Sequence, residues 1–287
     1  MMGKRDKQSG VVLINVLVIL ALTASVVFAM VSLSDLAIQR SQRYSSAGQA
    51  LALIAAGEAS AIVALRRDMA ETLQTDNATE AWAQTGQQKV EIDGGSFALQ
   101  IEDAQSRFNL NSLPQSGALG LQILQRIVKI LDLQPDVALR IAARLAQPAP
   151  LIRLQDLIAE AGLTASEVSQ LSELTTVLPG RTDINLNTAP AALLAVLADN
   201  PVQANRLEGL RKRKGFLTAD DLATANVILP LGAGFVSRYF LVTVDVTLGD
   251  SAQHMQTLLQ RRNGPGGAAE VVAVFRQSPV TLPASPS

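Results

Sequence analysis

The sequence predicts an α+β protein in which a long N-terminal helix packs on an antiparallel sheet that is interrupted by an inserted all-α domain. A long apolar run from residue 11 to residue 33 and a segment dense in strong helix formers from residue 45 to residue 73 predict one long helix. Alternating apolar residues, typical of half-buried strands, occur on both sides of a middle region. Between residues 108 and 235 the apolar spacing is helical instead, so we expect the early and late strands to share one sheet.

Length and composition limit the classes of function. With 287 residues the chain is long enough for about two folded units. Its net charge of −1 gives no strong attraction to nucleic acid or anionic lipid, and the absence of cysteine excludes disulfides and thiolate metal sites. The single histidine, His254, is interpreted as a surface or structural residue, because one histidine alone does not specify a catalytic or metal site. Without a recognisable phosphate loop, ligand cluster or nucleophile motif, we do not expect an enzyme.

The N-terminal segment is predicted to be a transmembrane helix. Residues 8–34 carry no charge, and the run from Val11 to Leu33 is long enough to span a bilayer, which takes about 20 apolar residues. The first charge after it is Asp35. The positive-inside rule therefore leaves the short N-terminus in the cytoplasm and exports the rest of the chain. The basic residues before the run are Lys4, Arg5 and Lys7.

The boundary at Gly10 resembles a type IV prepilin leader. In such leaders a membrane peptidase cuts after the glycine, on the cytoplasmic side, and methylates the new N-terminus. The resemblance implies cleavage between Gly10 and Val11 and N-methylation of Val11. The alternative is a plain single-pass anchor with a chance glycine.

Two residues depart from the usual pilin pattern. Pilin-like proteins usually begin with an aromatic residue and carry a glutamate at mature position 5, where this chain has Val11 and Asn15. The glutamate is costly in the bilayer unless it is paired, and its partner is the N-terminal ammonium of a neighbouring subunit. Because Asn15 cannot form that ion pair, we expect a position at the fibre tip, where no subunit lies above.

After the membrane segment the helix is predicted to continue as a long spine. From Ser45 to Leu73 the chain is rich in strong helix formers, and no proline occurs before Pro114. A single helix from Val11 to about Leu73 would be about 95 Å long at 1.5 Å per residue. We expect a stripe with helical spacing to pack on the sheet, formed by Leu51, Ile54, Ile62 and Leu65.

Five segments have the alternation of β-strands. The first two form a predicted hairpin from Gln88 to Asp103, which turns at residues 93–95. In all of them one face can be buried against the long helix while the other meets solvent. The later strands are predicted from Tyr239 to Leu248, from Ala252 to Arg261 and from Glu270 to Arg276.

The region between Phe108 and Phe235 is predicted to be helical. Its leucine, isoleucine and valine residues recur at helical intervals, and a capping box formed by Thr164 and Glu167 marks one helix start. The predicted helices of its first part run from Ala118 to Leu131, from Pro135 to Leu145, from Leu151 to Leu163 and from Thr164 to Leu178.

One heptapeptide occurs twice in nearly the same form, FNLNSLP at residues 108–114 and INLNTAP at residues 184–190. Each copy precedes a helix-rich unit. Thr188 is a predicted N-cap with Pro190 in the first turn, and Ser112 has the same role in the first copy. We interpret the asparagine amides as ties for loop backbone rather than as ligands. These residues are Asn109, Asn111, Asn185 and Asn187.

The segment from Ile184 to Leu222 resembles a helix-hairpin-helix, or SAM-like, unit such as those of bacterial DNA-uptake receptors. There, a glycine-rich hairpin offers backbone N–H groups to a DNA phosphate. The matching hairpin here, Ala198 to Ala204, contains no glycine, and Pro201 removes an amide. We therefore expect the helical scaffold without its phosphate cradle.

Several separated motifs follow one another in the order of a known family. The leader without the glutamate and the long spine come first, followed by IEDAQSRFNLNSL from Ile101 to Leu113. The helical insertion with INLNTAP and GFLTADDL comes next, and SRYFLVTVDVTLGD closes the series from Ser237 to Asp250. Together they resemble the K subunit of the type II secretion pseudopilus, the GspK family. The likeness covers almost the whole exported chain.

The resemblance implies a pilin-like body and the role of a minor pseudopilin. Such K subunits join the I and J subunits, and H, at the pseudopilus tip, help assembly to start and support export of folded proteins from periplasm to exterior. It further implies a single pass through inner-membrane lipid, with the N-terminus cytoplasmic and the C-terminal domain periplasmic. The prepilin peptidase is then the processing partner.

Calcium ions are associated with this family. In this chain the corresponding segment around Leu151 has no run of closely spaced Asp, Asn or Glu that would supply the six or more oxygen ligands that calcium prefers. We therefore predict no cofactor and name no calcium ligands.

The rival interpretation is a membrane-tethered helix-hairpin-helix protein that binds nucleic acid. It depends on the four consecutive basic residues from Arg211 to Lys214, which can contact phosphates. At the end of a helix the same residues complement the helix dipole. Because the hairpin has no glycine, we expect no nucleic-acid partner.

These expectations divide the chain into consecutive segments. The predicted divisions are a leader at 1–10, a transmembrane helix at 11–33, the spine and first strands at 34–107, the inserted α-helical domain at 108–235 with lobes 108–180 and 181–235, the remaining strands at 236–276 and a disordered tail at 277–287.

Overall fold

The computed structural model describes residues 6–71, 74–85, 89–198 and 200–278, with the backbone alone for residues 6–10. The predicted tail from residue 279 onward lies outside the described residues. The helices are α1 (Asp6–Glu71), α2 (Ala81–Gln84), α3 (Leu113–Ile130), α4 (Asp136–Leu145), α5 (Asp156–Glu160), α6 (Ala165–Leu171), α7 (Ala191–Ala198), α8 (Pro201–Lys214) and α9 (Ala219–Thr224). The strands are β1 (Val90–Ile92), β2 (Gly95–Asp103), β3 (Phe108–Asn109), β4 (Thr175–Thr176), β5 (Ile184–Asn185), β6 (Ala233–Gly234), β7 (Tyr239–Leu248), β8 (Ser251–Asn263) and β9 (Ala269–Gln277).

Helix α1 is a single long helix, as predicted. Its 66 residues correspond to about 100 Å at 1.5 Å per residue. The predicted stripe is partly wrong, because Leu51 is 54% exposed. The face that packs on the sheet recurs instead at the spacing of one helical face. Its buried residues are Ala50, Ile54, Gly57, Ala61 and Leu65.

Small residues allow α1 to lie close to the sheet. A Cβ atom added at Gly57 would be 3.1 Å from atoms of Phe97 and of Val244, which is tighter than ordinary van der Waals contact. Ala50 and Ala61 are fully buried on the same face. The stripe was difficult to recognise in the sequence because three of its five members are Gly or Ala rather than large apolar residues.

The main sheet has the order β1-β2-β7-β8-β9, and all its neighbouring strands are antiparallel. The predicted hairpin and the shared sheet are therefore confirmed. Strand β2 pairs with β7 from Gly95 with Leu248 to Asp103 with Phe240. The chain thus leaves the sheet after Asp103 and returns beside the same point, so the region between these strands is an insertion at one end of the sheet.

The face of β7 toward α1 has the alternation that the sequence predicts. Phe240, Val242, Val244 and Val246 are each at most 2% exposed. Trp82 packs edge-on against Phe240 with 5.0 Å between the ring centroids. This core holds α1, α2 and the sheet together.

The inserted region has an apolar core separate from that of the sheet, and its two predicted lobes, residues 108–180 and 181–235, share this one core. In the first lobe, β3 pairs in parallel with β4, which follows α6. In the second, β5 pairs in parallel with β6, which follows α9. Each short pair brings the beginning and end of its lobe together. The exact domain bounds stay a prediction.

The inserted helices differ from prediction at several points. Helix α3 begins earlier, at Leu113, and is interrupted at Gly117, whose φ of 57° lies in the left-handed region. The helix predicted from Leu151 to Leu163 is only the short α5. The helix predicted from Thr164 to Leu178 ends at Leu171, because the chain that follows pairs with β3 instead. Its predicted capping box is confirmed.

Candidate functional site

The first half of α1 is an exposed apolar rod. Among the described residues, one helix is long and apolar enough to span a membrane, and this is the part of α1 from Val11 onward. Within it the hydroxyl of Thr23 donates to the carbonyl oxygens of Ile19 and Leu20, each at 3.0 Å, which satisfies this polar group inside the helix. Gly10 and Val11 both lie within α1. Cleavage between them stays a prediction.

Asn109 and Asn111, in the first copy of the heptapeptide, fasten the first lobe. The Oδ1 atom of Asn109 accepts from the backbone N–H of Leu178 at 3.0 Å, and its Nδ2 atom donates to the carbonyl of Gly180 at 2.8 Å. Asn111 bonds both backbone groups of Leu151, accepting from its N–H at 3.0 Å and donating to its C=O at 2.9 Å. Both asparagines are buried and join distant loops.

The second copy repeats one of these arrangements. Asn187 accepts from the N–H of Leu217 at 2.6 Å and donates to its C=O at 3.2 Å. Asn185 has a different position, because it is fully buried where the inserted region meets the sheet. Its Nδ2 atom donates to the carbonyl of Asp76, to Asp103 Oδ2 and to Ser237 Oγ.

Asp103 is the centre of this junction. Its Oδ2 atom accepts hydrogen bonds from Asn185 at 2.8 Å, from the Ser237 hydroxyl at 2.7 Å and from the Thr188 hydroxyl at 2.5 Å. Its Oδ1 atom accepts from the N–H of Gln105 at 2.8 Å. One carboxylate thus joins the end of β2, the second lobe and the entry to β7.

The predicted N-cap roles of Thr188 and Ser112 are wrong. Helix α7 begins after Pro190, whose carbonyl accepts from Leu193 and Leu194, and the Thr188 hydroxyl goes to Asp103 instead. Ser112 stands at the N-cap position of α3, but its hydroxyl exchanges hydrogen bonds with the backbone of Thr182. In both copies the hydroxyl forms hydrogen bonds with a distant part of the chain instead of capping a helix.

A second buried network lies beside Asp103. The guanidinium of Arg261 bonds to Asp68 at 2.6 Å and to Asp76, and its carbon atom lies 4.2 Å from the centroid of the Phe240 ring. Asp76 also accepts from the N–H of Ser237 at 2.6 Å. This network connects the end of α1 to β8 and to the return of the chain from the insertion.

Burial governs the carboxyl groups of this region. It raises the pKa of Asp103, against the hydrogen bonds that Thr188 and Ser237 donate. Burial likewise raises the pKa of Asp68, against the attraction of Arg261. It raises the pKa of Glu80 to about 7, although Trp82 and Asn77 donate to this carboxyl.

Sequence reasoning identified Asn185 but missed the charged residues around it. The side-chain partners of Asp76, Asp103 and Arg261 are each many residues away in the chain. Asp103 lies in the segment IEDAQSRFNLNSL, but nothing in that segment indicates which side chains it bonds. The sequence indicated their proximity in one way only. Asp103 ends the predicted strand β2, and Ser237 comes just before β7, the strand that pairs with β2.

The α7–α8 hairpin is shorter than the predicted segment from Ala198 to Ala204, because residues 201–204 already belong to α8. Helix α7 ends at Ala198 and α8 begins at Pro201, and residue 199 lies outside the described residues. Asn200 caps α8 by accepting from the N–H of Val202 at 2.9 Å. Proline at the first helical position and this occupied amide leave fewer free N–H groups for an anion.

The basic run at the end of α8 is largely paired within the chain. Arg211 donates to the carbonyls of Leu186 and Ala189, and burial lowers its pKa. Lys212 and Lys214 form 2.6 Å ion pairs, with Glu208 and Asp221 respectively. These contacts argue against a phosphate-binding face.

His254 lies on β8 directly opposite Asp245 of β7. Its Nδ1 atom is 2.5 Å from Asp245 Oδ1, and the pair lies on the face of the sheet away from α1. This cross-strand contact is of the kind that stabilises sheets.

The described residues offer one group of three carboxylates close enough to hold a metal ion. The oxygens of Asp68, Asp76 and Glu80 lie within 4.8 Å of one another. Calcium prefers six to eight oxygen ligands. The positively charged guanidinium of Arg261 already bonds two of the three carboxylates, those of Asp68 and Asp76, so it serves as their cation in place of a metal ion. These residues do not fit a calcium ion.

Comparisons with known proteins connect this fold to one system. A family model described as type II secretion system (T2SS), protein K, matches residues 184–235. The type II secretion system protein K of Pseudomonas aeruginosa is 29% identical over 94% of this chain and 93% of its own length. The protein of the same name from Klebsiella pneumoniae is 26% identical over 92% of this chain and 96% of its own length.

A solved structure has the same fold. It is the crystal structure of the GspK–GspI–GspJ complex from the type 2 secretion system of enterotoxigenic Escherichia coli. One of its chains matches with a TM-score of 0.64 and 21% identity, over 83% of this chain and 99% of the other. The family model and the relatives above confirm the resemblance that the sequence predicts: over most of its length the chain is similar to the type II secretion system K proteins.

Proposed function

We propose that this protein is a minor pseudopilin at the tip of the type II secretion pseudopilus, where it promotes assembly and takes part in export of folded proteins from periplasm to exterior. The observation that supports this proposal most is the similarity to K proteins over 94% of this chain and 93% of the relative. On the same similarity we propose a structural rather than a catalytic role; that the protein works without a cofactor stays a prediction.

The position of the insertion supports a place at the tip. The turn at Gly249 lies beside Ser46, close to the membrane segment, whereas Arg261 bonds to Asp68 farther along α1. The insertion leaves the sheet next to Phe240, at this membrane-distal end. A bulky region there would obstruct a subunit stacked above it, and Asn15 lacks the charge that would bind one.

For partners we propose the I and J pseudopilins, together with H. The similar chain of known structure belongs to a complex with GspI and GspJ. On this chain the outward face of α1 beyond the membrane segment carries exposed apolar residues, among them Tyr44, Leu51 and Val63. Such a face suits packing against the corresponding helices of other pseudopilins.

For topology we propose a single pass through the inner membrane, with a cytoplasmic N-terminus and a periplasmic C-terminal domain. The prepilin peptidase would cut between Gly10 and Val11 and methylate Val11. The insertion would comprise residues 108–235, with a helix-hairpin-helix scaffold in its second lobe. The exposed apolar half of α1 and the basic residues before it support this orientation.

The mature N-terminus tests processing. Mass spectrometry of the protein from its native membrane should show a methylated chain that begins at Val11. Gly10→Val should leave the leader attached, whereas Gly3→Val, in the same leader but away from the cleavage point, should be processed normally. An intact Met1 in the wild type, or a cut beyond residue 30, would contradict the proposal.

Partner assembly and secretion test the role. The full chain, extracted in mild detergent, should co-purify with the I and J subunits of its host. Deletion of its gene should leave secreted proteins in the periplasm, and the wild-type gene should restore export. A deletion strain with undiminished secretion, or a chain that purifies without either subunit, would exclude the proposed role.

A further inference from the structure

A groove separates the sheet from the first lobe of the insertion. Its volume is about 620 Å³, within the range of about 300–1,000 Å³ common for ligand pockets. Its floor is the face of the sheet that points away from α1. Its wall consists of residues 150–155, just before α5, and of residues 172 and 175–180, around β4.

The floor of the groove is an apolar row across three strands. Leu241 of β7 pairs with Leu258 of β8, which pairs with Phe275 of β9, so the three side chains are direct cross-strand neighbours. Farther along β7 the same face carries Thr243 and Asp245, which is the polar character expected of a solvated face. The apolar row is therefore confined to the groove.

Apolar side chains on the wall and on the floor of the groove are exposed to solvent. Ile152, on the wall formed by the first lobe, is 69% exposed, and Val274 of β9 is 42% exposed. Both line the groove. An occupant with apolar side chains would remove this surface from water.

One cation in the groove is unsatisfied. Arg107 lines it, and its Nε atom is buried without a hydrogen-bond partner. Of the other charged side chains there, Arg153 forms an ion pair with Asp156, and Glu102 accepts a hydrogen bond from Gln100. A buried donor without a partner is unfavourable, and a carboxylate is the acceptor that suits a guanidinium best.

The edge of the sheet adjoins the groove. Strand β9 is the last strand of the sheet, and among the described residues its outer edge has no neighbouring strand. Its residues Val274, Phe275 and Gln277 line the groove. An extended segment placed there can use both the apolar floor and unpaired backbone groups of the edge.

We propose that this groove binds an extended, apolar segment of a second protein, with an acidic side chain of that segment paired to Arg107. Charge complementarity distinguishes this occupant from the end of the chain itself. Residues 279–287, which follow the groove-lining Gln277, contain no acidic side chain.

A selection from random peptides tests the proposal. Phage-displayed octapeptides are panned on the full chain in detergent micelles, after removal of phage that bind empty micelles. The enriched peptides should be rich in Leu, Ile, Val or Phe and contain Asp or Glu. Fluorescence anisotropy with the strongest synthetic peptide should show binding about tenfold weaker to Arg107→Gln and also weaker to Ile152→Ser.

Matched variants separate the groove from general surface effects. Arg213→Gln and Ile228→Ser replace exposed residues of the same types elsewhere and should bind like the wild type. Absence of acidic apolar peptides from the selection, or equal binding by Arg107→Gln, would refute the proposal. Removal of residues 279–287 that strengthens peptide binding about tenfold would identify the end of this chain as the occupant and also overturn it.

Discussion

At the scale of single residues, Asn111 and Asn187 perform the same task in the two lobes. Each side-chain amide bonds both the N–H and the C=O of one leucine, Leu151 for Asn111 and Leu217 for Asn187. A carboxamide is neutral and carries its donor and its acceptor on two neighbouring atoms, so it can bond an N–H and a C=O at the same time. This explains why the asparagine recurs in both heptapeptides.

Replacement of Asn187 by alanine should destabilise the second lobe. The change leaves the buried N–H and C=O of Leu217 without partners, at a cost of about 1–3 kcal/mol. Thermal and urea unfolding of the full chain in detergent would measure the loss. Asn263→Ala, at an exposed position at the end of β8, should change stability by less than about 0.5 kcal/mol. Equal stability of the two variants would contradict the assigned role.

The raised pKa of Glu80 predicts a pH dependence. Because burial raises the pKa of this carboxyl from 4.5 to about 7, the folded state binds its proton more tightly than the unfolded state. Its contribution to stability is therefore complete below about pH 4.5 and is lost as the pH rises toward 7. Since Glu80 is half-buried, screening reduces the effect to about 1 kcal/mol.

Two variants measure this dependence. Between about pH 5 and pH 8 the wild type should lose about 1 kcal/mol more unfolding free energy than Glu80→Gln, which does not titrate. Each protein is compared with itself at the two pH values. The pH-independent cost of losing one acceptor oxygen in Glu80→Gln therefore cancels. Parallel pH profiles for the two proteins would show that the Glu80 carboxyl does not titrate in this range.

At the scale of elements, local pattern determined what the sequence could reveal. The long helix was predictable because an apolar run and then strong helix formers follow one another without a proline, and strand β7 because its alternation continues through the whole strand. Strand β4 was not, because Thr175 and Thr176 form it only by pairing with Phe108 and Asn109, far away in the chain. The short α5 likewise lies in a stretch whose leucines have helical spacing. The backbone of Leu151, at the start of this stretch, bonds to the side chain of Asn111 instead of forming a helix.

The close contact between α1 and the sheet makes Gly57 a sensitive position. Gly57→Leu would insert a side chain where a Cβ atom alone is 3.1 Å from Phe97 and Val244, so we expect a loss of about 1–3 kcal/mol despite the better helix propensity of leucine. Gly48→Leu, with no neighbouring atom within 4 Å of its added Cβ, should gain about 0.5–1 kcal/mol. Unfolding of both variants tests this; a stabilised Gly57→Leu would disprove the close approach.

At the scale of the whole molecule, the insertion and the sheet meet through polar groups of which the sequence indicated Asn185 alone. Asp103 comes from β2, Asn185 from the second lobe and Ser237 from the chain that returns to the sheet. Only the fold brings these segments together, so no local motif predicts the cluster. Periodicity could place the insertion in the chain, but it could not show how the insertion is fastened.

Excision of the insertion tests whether the sheet is an independent unit. Asp103 and Phe240 are paired neighbours, so two glycines joining Gln105 to Ser237 should leave the β2–β7 pairing intact. The excised chain should retain cooperative unfolding, but Asp103 would lose the donors Asn185 and Thr188. Adding Asp103→Asn should therefore stabilise the excised chain by about 1–2 kcal/mol. In the full chain the same substitution should lower stability, because Asp103 there accepts four hydrogen bonds, from Gln105, Asn185, Thr188 and Ser237, which suit a carboxylate. Circular dichroism melts of the four proteins measure both effects; a substitution that changes both chains in the same direction would show that Asp103 does not join the insertion to the sheet.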